Sequence, residues 1–299
     1  MLLMLFVHLT YYFVSGAYLK RQFWVEFLDV GHGDAATIHL PTGQVLLVDG
    51  GGFAHSSLDL GKKVWIPYFR NRRIQKIDVL MVTHPHPDHY KGFETILGKI
   101  PIKSFWYNGI QNSSKEWQIF FNKIDQSGIL IEKINQNTSK KKMGIAEIQF
   151  FNLNEEITEP KQSQSGKVVN NQSLVFLLSI YDQSVLFTGD IEKETEEAIQ
   201  DKLEKTNVTL LKVPHHGSKT SSSKGFLDAL RPKMAIASAG TLGRHIFPHP
   251  LVLNRYKSLG IPLFTTKDCG ALRFQVKKDG SYNLRSYNGM CNLDFPSIN

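Results

Sequence analysis

Short hydrophobic runs separated by turn residues predict a strand-rich first half of the chain. The runs Phe23 to Val30, Ala35 to Leu40 and Val45 to Val48 are rich in β-branched and aromatic residues, and glycine- or proline-containing turns separate them. The run Ile77 to Val82 is almost entirely apolar, which predicts a strand buried on both faces. A histidine-rich segment follows this strand directly, so we expect the segment on a loop at the carboxyl end of a strand.

The second half alternates strands with helices. Apolar residues recur at helical spacing between Ser114 and Asp125, which predicts an amphipathic helix on the surface of a sheet. Two polar segments, 137–143 and 159–172, are predicted to be surface loops. Further elements are predicted as helices at Glu192 to Leu203 and near Ser222 to Leu230, hairpin strands at Leu174 to Ile180 and Ser184 to Phe187, and strands at Val208 to Val213 and Lys233 to Ala237. Strand meanders with helices in both halves predict an α/β fold in which two sheets pack face to face between outer helices.

The composition agrees with a folded globular protein. The chain has 299 residues, of which 41% are hydrophobic, and this excludes a disordered or fibrous protein. Because residues 22–299 contain neither a long linker nor an internal repeat, we interpret them as a single domain. Lysine and arginine outnumber aspartate and glutamate by 35 to 27, and the net charge of +8 favours a polyanionic or phosphate-bearing partner.

Residues 1–21 form a separate apolar segment. The stretch from Met1 to Leu19 is largely apolar and ends at two basic residues. A membrane span needs about 20 apolar residues, so the segment is either a membrane tether or export signal, or an ordinary strand. The protein is therefore expected to be membrane-anchored or exported, and otherwise cytoplasmic.

Cysteine is scarce in this chain. The two cysteines, Cys269 and Cys291, both lie near the carboxyl terminus, which excludes a disulfide-stapled scaffold and a cysteine-based zinc cluster. We expect two unpaired thiols, with a single late disulfide as the less favoured alternative.

Four potential metal ligands lie within six residues, and this density points to a metal site. They are His84, His86, Asp88 and His89. A proline follows each of the first two histidines, which favours extended backbone there and points both imidazoles to the same side, towards one ion. Asp88 and His89 lie beyond this extended piece and can address a second ion. Hydrolytic sites with two metals place their ions about 3.5–4 Å apart.

Candidate ligands also occur downstream of this motif. Asp190 ends a Thr-Gly-Asp turn, and its carboxylate has two oxygens that can bridge two cations. The adjacent His215 and His216 cannot point the same way from extended backbone, so one is expected to be a ligand and the other a proton donor or phosphate contact. His249 lies between two prolines on a turn. The remaining histidines lack a second candidate ligand at useful spacing and are discounted: His8, His32, His39, His55 and His245.

The order of these motifs resembles the metallo-β-lactamase superfamily and, within it, the hydrolase domain of ComEC-type competence proteins. The resemblance covers Phe23 to Phe274 and depends on the segments Phe27 to Ala35, Val48 to Gly51, His84 to His89, Asn170 to Val175, Thr188 to Asp190, His215 to Ser218 and Phe247 to Pro250. It implies a four-layer αββα sandwich that holds two divalent metal ions, zinc or manganese. By this resemblance His84 and His86 hold the first metal, Asp88, His89 and His249 hold the second, Asp190 bridges them, and His216 completes or flanks the first site.

The chain departs from the family pattern at the first metal site. Most members have a further histidine between the first motif and the bridging aspartate, but no histidine occurs here between Tyr90 and Gly189. Asn171 lies in that interval, and an amide is a poor metal ligand. The first site is therefore weaker, completed by His216, or partly vacant. ComEC-type domains also usually have glutamine where His32 stands, and many have an acidic residue where His86 stands.

These features favour a metal-dependent phosphodiesterase or nuclease, with Asp88, His215 and His216 as the candidate catalytic residues. For a ComEC-like protein the resemblance implies DNA as substrate, with another phosphate ester as the broader expectation. Basic residues near the motifs could contact a polyanion: Lys91, Lys212, Lys219, Lys224 and Arg244. One alternative is a hydrolase of a lactam, lactone, thioester or phosphorylcholine ester, because loops outside the motifs determine the substrate. A second alternative is a metal-binding module without catalytic activity.

Overall fold

Two β-sheets packed face to face form the centre of the molecule, and helices cover their outer faces. The computed structural model describes residues 22–53, 58–110, 112–151, 166–242 and 245–287, together with residues 4 and 291. The predicted αββα sandwich is therefore confirmed. One apolar core lies between the sheets, and two further cores lie between each sheet and its outer helices.

Most of the described strands belong to the two large sheets. In chain order the strands are β1 (Phe23–Phe27), β2 (Ala35–His39), β3 (Val45–Gly50), β4 (Ile77–Val82), β5 (Ile102–Tyr107), β6 (Leu130–Lys133), β7 (Lys140–Met143), β8 (Ala146–Phe150), β9 (Phe176–Ile180), β10 (Gln183–Phe187), β11 (Leu210–Lys212), β12 (Met234–Ala237), β13 (Thr241–Leu242), β14 (His245–Ile246), β15 (Leu263–Thr265), β16 (Leu272–Val276) and β17 (Tyr282–Ser286). The first sheet has the order β17-β16-β1-β2-β3-β4-β5-β6, and the second has the order β15-β12-β11-β10-β9-β8-β7. Strands β13 and β14 pair separately.

The helices lie on both outer faces of the sandwich. They are α1 (Ile66–Arg72), α2 (Pro87–Tyr90), α3 (Lys115–Gln126), α4 (Gly166–Asn170), α5 (Lys193–Leu203), α6 (Lys224–Leu230), α7 (Pro250–Ser258) and α8 (Thr266–Cys269), with a π-helical turn at Gly61–Trp65 and 3₁₀ turns at Lys91–Phe93 and Pro214–Gly217. The predicted amphipathic helix is α3, which buries Trp117, Phe120 and Ile124 against the first sheet. Ser114 caps it, because its side chain accepts a hydrogen bond from the Trp117 N–H.

Strand β4 and the hairpin of β9 and β10 agree with the predictions from the sequence. Strand β4 is buried along its whole length, as its apolar composition predicts. Strands β9 and β10 form the predicted hairpin. Its turn contains Tyr181 and Asp182, both with positive φ (48° and 62°), as a two-residue hairpin connection of this kind requires.

The two segments predicted to be loops are partly regular. The polar segment 137–143 contains β7, an edge strand that pairs with β8. The lysines of β7 made the segment look like a polar loop. Charged residues are common on edge strands because they hinder pairing with a further strand. In the second segment, residues 166–170 form α4, whereas 152–165 lie outside the described residues.

The prediction of two unpaired thiols is wrong, because Cys269 and Cys291 form a disulfide. Their spacing of 22 residues in sequence gave no sign of the pairing, which arises because the chain returns past the end of α8 after β17. The apolar segment 1–21 lies outside the described residues apart from residue 4. Within the described part of the chain, no helix has the length and apolar character needed to cross a bilayer.

Parallel strands at the centre of each sheet direct the functional loops to one edge of the sandwich. Strand β3 runs parallel to β4, and β11 runs parallel to β10 and β12. The loops that follow β3, β4, β10 and β11 therefore meet at the carboxyl ends of the strands, where open α/β sheets commonly bind their ligands.

Candidate metal centre

The histidine motif lies on the loop that joins β4 to α2. His86 is extended (φ −94°, ψ 146°) and immediately precedes α2, with Pro87 at the first helical position. The Nε2 atom of His84 lies 3.0 Å from Nδ1 of His86. The two rings thus converge, as expected from the prolines that follow them.

Four side chains form a compact group of potential metal ligands. One ligand atom each from Asp88, His89, Asp190 and His216 lies within 4.8 Å of all the others. Asp190 Oδ2 is 3.2 Å from Nε2 of His89 and 3.2 Å from Nε2 of His216, and His216 Nε2 is 3.4 Å from Asp88 Oδ2. Bonds of about 2.1 Å in tetrahedral geometry separate ligand atoms by about 3.4 Å. The observed spacing therefore fits a single divalent ion.

Hydrogen bonds on the far side of two rings decide which nitrogen is available to an ion. His89 Nδ1 lies 2.9 Å from Oδ2 of Asp49, and His216 Nδ1 lies 2.9 Å from the carbonyl oxygen of Ser238. Because both partners accept hydrogen bonds, each Nδ1 carries the proton and each Nε2 presents a lone pair. Both Nε2 atoms are buried and lack a hydrogen-bond partner within the described chain. A buried lone pair that faces a carboxylate is stable only with a cation between them, so the residues fit a metal ion.

The local charges favour a cation at this group. Burial by itself lowers the pKa of His89, but the carboxylates of Asp190 and Asp49 outweigh burial and raise that pKa well above its usual value. Burial and the carboxylates of Asp190 and Asp34 oppose each other in the same way at His216, where the pKa is also raised. The excess negative charge therefore favours protons or a metal ion at this position.

Lys212 and Asp34 form a buried ion pair beside the group, which we did not predict. The Lys212 ammonium contacts the Asp34 carboxylate, lies 3.6 Å from Asp190 Oδ1 and donates a hydrogen bond to the Gly189 carbonyl (2.9 Å). Lys212 is only 2% exposed, so the expectation that it contacts a polyanion is wrong. A lysine within the apolar run of β11 was the signal for this role.

The other basic candidates differ in position. Lys219 is exposed four residues after His215, whereas Lys224 pairs with Asp228 on α6. Arg244 lies outside the described residues.

His32 lies against the metal group, although the sequence analysis discounted it. Its Nε2 is 3.6 Å from Asp88 Oδ2, and its ring centroid is 4.6 Å from that of His216. The flanking Gly33 permits this contact, since a Cβ there would lie 2.5 Å from the Asp88 carbonyl oxygen. A histidine between two glycines was the signal that could have identified it.

Of the other discounted histidines, only His39 has a described side chain, and it lies against Trp24 and Tyr68. His39 stacks on Trp24 and contacts the Tyr68 hydroxyl. His8 and His55 lie outside the described residues, and the side chain of His245 is not described.

The downstream histidines are arranged differently from the expected ligand sets. His216 groups with Asp88 and His89 rather than with His84 and His86. The premise of extended backbone is also wrong, since His215 and His216 have φ of 48° and 54° in a 3₁₀ turn. His249 caps α7, where its Nδ1 accepts a hydrogen bond from the Leu251 N–H, and it is not part of the four-residue group. Its role as a ligand remains a prediction.

Asn171, which lies in the interval of the missing histidine, has a local structural role. Its Oδ1 accepts a hydrogen bond from the Glu192 N–H at the start of α5 (2.8 Å), and its amide donates to Glu194. From the same interval, Ser173 contacts His84, with its Oγ 3.1 Å from His84 Nδ1.

Two mixed sheets between helices, with buried histidines and aspartates at their shared edge, define a metal-binding hydrolase fold. Residues 29–240 match the family model described as the metallo-beta-lactamase superfamily, and the chain belongs to this superfamily. The fold of this family implies a divalent metal, which the histidine and aspartate group is suited to bind.

Several curated proteins are similar to this chain. ComE operon protein 3 of Bacillus subtilis (strain 168) is 30% identical over 271 residues, which are 87% of this chain and 34% of that protein. Competence protein ComA of Neisseria gonorrhoeae is 26% identical over 273 residues, 88% of this chain and 34% of that protein. The chain thus spans about a third of the length of these relatives. Among solved structures, CmlA, a diiron beta-hydroxylase from Streptomyces venezuelae, has a TM-score of 0.52 at 14% identity and covers 86% of this chain and 54% of its own, a likeness of fold alone.

Proposed function

We propose that this protein is a metal-dependent phosphodiesterase that cleaves DNA. The observation that carries the proposal is the group of Asp88, His89, Asp190 and His216, which is accessible at Asp88 in the described part of the chain. The Asp88 side chain is 23% exposed, whereas the side chains of the other three are at most 3% exposed. Water and substrate therefore reach the group from the side of Asp88.

Different residues of the chain would hold the metal ions, orient their ligands and accept a proton. Asp88, His89, Asp190 and His216 would hold one divalent ion, and His84 with His86 would contribute to a second, zinc or manganese in each case. When bound, such ions lower the pKa of water and withdraw charge from an ester oxygen. Asp49 and the Ser238 carbonyl keep two imidazoles oriented for this purpose. Asp88, as the most accessible carboxylate of the group, would accept a proton from the attacking water.

Two features favour DNA over the other substrates of this fold. Competence protein ComA, which is similar to 88% of this chain, is named for competence, and this name supports DNA as the substrate. The net charge of +8 favours association with a polyanion, and the exposed Lys219 follows His215 by four residues in the sequence.

Hydrolysis assays with varied metals test the proposal. We expect Mn²⁺- or Zn²⁺-dependent cleavage of single-stranded DNA and of bis-p-nitrophenyl phosphate. Removing a residue that hydrogen-bonds a metal ligand lowers activity by up to roughly 100-fold. Asp190→Ala removes a proposed ligand itself, so its cleavage activity should fall by more than this factor. Asp228→Ala, which removes an exposed aspartate paired with Lys224, is the matched control and should retain full activity. A β-lactam, a lactone and a thioester serve as comparison substrates.

The possible results separate the alternatives. Turnover of a lactam, lactone or thioester without cleavage of either phosphodiester would refute the proposal and favour a different hydrolase. Bound metal without turnover of any substrate would instead indicate a metal-binding module without catalytic activity.

A further inference from the structure

Four imidazole nitrogens lie within 4.0 Å of Asp190 Oδ2, two of them closer to it than the other two. Nε2 of His89 and of His216 each lie 3.2 Å from this oxygen, Nε2 of His215 lies at 3.9 Å, and Nε2 of His84 lies at 4.0 Å. The two nearer nitrogens, Asp190 Oδ2 and the Asp88 carboxylate already supply four ligands to one tetrahedral ion. The two more distant nitrogens are therefore available to a second ion that shares Asp190.

His215 lies between two carboxylates, Glu192 on its Nδ1 side and Asp190 on its Nε2 side, as His89 lies between Asp49 and Asp190. Its Nδ1 is buried, has no hydrogen-bond partner in the described chain and lies 3.6 Å from Oε1 of Glu192. Glu192 is itself only 5% exposed, and its Oε1 also accepts a hydrogen bond from the Asn170 amide. A buried carboxylate requires donors around it. A proton on Nδ1 of His215 faces Glu192 across 3.6 Å, a longer separation than the 2.9 Å between His89 and Asp49, and leaves the lone pair of Nε2 towards Asp190.

The backbone holds His215 in this position. Its N–H donates to the Gly189 carbonyl, one residue before Asp190, and its own carbonyl accepts from the Ser218 N–H at 2.7 Å. The residue is left-handed, with φ of 48°. This tight turn keeps the His215 ring next to the aspartate that the two ions would share.

We propose that His215 is the third imidazole of the first metal site, together with His84 and His86, and that Glu192 is the carboxylate that orients it. His215 would then replace the histidine that this chain lacks between Tyr90 and Gly189. This assignment rests on the proposed two-metal hydrolase, but it concerns metal binding and does not depend on which ester is cleaved.

Metal content and affinity, measured without any substrate, test the assignment. The wild-type chain is loaded with Mn²⁺ or Zn²⁺, its metal content is determined by elemental analysis, and each site is titrated by calorimetry. We expect two equivalents for the wild type and one for His215→Asn. Asparagine tolerates left-handed backbone, so this variant preserves the turn. Glu192→Gln should retain both ions but weaken the first site roughly 10- to 100-fold.

Glu194→Gln is the matched control, because Glu194 is exposed on the same helix and pairs with Lys167. Its metal content and affinities should equal those of the wild type. Retention of one tight equivalent by His215→Asn shows that the variant is folded. Two equivalents with wild-type affinities in His215→Asn, or only one in the wild type, would overturn the assignment. Normal metal content with no cleavage of DNA would overturn the proposed substrate alone.

Discussion

His89 donates its Nδ1 proton to Oδ2 of Asp49 over 2.9 Å, and this contact joins the end of β3 to the metal group. Asp49 is itself held by Thr83, whose backbone N–H and hydroxyl both donate to its carboxylate at 2.8 Å. Three donors thus fix a carboxylate that is 1% exposed. The orientation of His89 therefore depends on a residue 40 positions earlier in the chain.

Asp49→Asn should weaken metal binding without disturbing the backbone. Asp49 has a φ of 56°, which asparagine tolerates, but the amide in place of the carboxylate removes the charge that orients His89. We expect a roughly 10- to 100-fold loss of metal affinity in a calorimetric titration. Asp59→Asn, a change at a partly exposed aspartate that pairs with Lys62, is the control. Equal affinities for the two variants would contradict the role of Asp49.

Lys212→Met should strongly destabilise the metal-free protein. The substitution leaves Asp34 and Asp190 buried without the ammonium that lies between them. Breaking a buried ion pair by removing one partner costs about 3–5 kcal/mol. Chemical denaturation in the presence of a chelator would measure this loss. Adding Asp34→Asn to the Lys212→Met chain should recover part of the lost unfolding free energy. A double variant that is no more stable than Lys212→Met would argue against the ion pair between Lys212 and Asp34.

His39 should make the protein sensitive to mild acid. Burial, with the charges of Arg273 and Arg72, lowers the pKa of His39 from 6.5 to about 3. Below pH 6.5 the unfolded chain therefore binds a proton that the folded chain excludes, so stability falls as the pH decreases towards 3. The slope for one such group approaches about 1.4 kcal/mol per pH unit.

His39→Gln removes this titration but also the stacking of His39 on Trp24. The variant should be less stable than the wild type at pH 7.5, and the difference in unfolding free energy should narrow at pH 4.5. Denaturant titrations at both pH values provide the measurement. A difference that is independent of pH would show that His39 does not cause the acid sensitivity.

Removal of the disulfide between Cys269 and Cys291 should lower stability. For a loop of 22 residues the entropic estimate is about 3 kcal/mol. A Cys269→Ser and Cys291→Ser double variant should show this loss in denaturant unfolding, and a reductant should reproduce it in the wild type but leave the variant unchanged.

Since disulfide bonds persist in oxidising compartments, we also propose an extracytoplasmic location. Recovery of reduced cysteines from the native host would contradict that location.

Local pattern was sufficient for much of the fold and for the first half of the site. Strand β4 followed from its apolar composition, α3 from its helical spacing, and the hairpin of β9 and β10 from its flanking runs. The convergence of His84 and His86 followed from the prolines between them. These features depend on neighbours within a few residues, whose backbone preferences act over that range.

Long-range contacts account for what the pattern did not predict. His32 reaches Asp88 because the turn between β1 and β2 lies at the edge of the sheet where β4 ends. Lys212 reaches Asp34 because β11 of the other sheet ends at the same edge of the sandwich. The pairing of Cys269 with Cys291 likewise depends on the path of the chain after β17. The backbone preferences of a short segment carry no information about contacts between residues that lie far apart in the sequence.

The sequence by itself therefore determined the kind of chemistry, because a dense set of histidines and aspartates after a buried strand serves few purposes other than metal binding. Only the tertiary structure decided which of these side chains lie together. It grouped His216 with Asp88 and His89, left His249 at the cap of α7, and placed His215 between Glu192 and Asp190. The physical reason is that a metal site selects donor atoms within a few ångströms in space, and the packing of two sheets sets those distances.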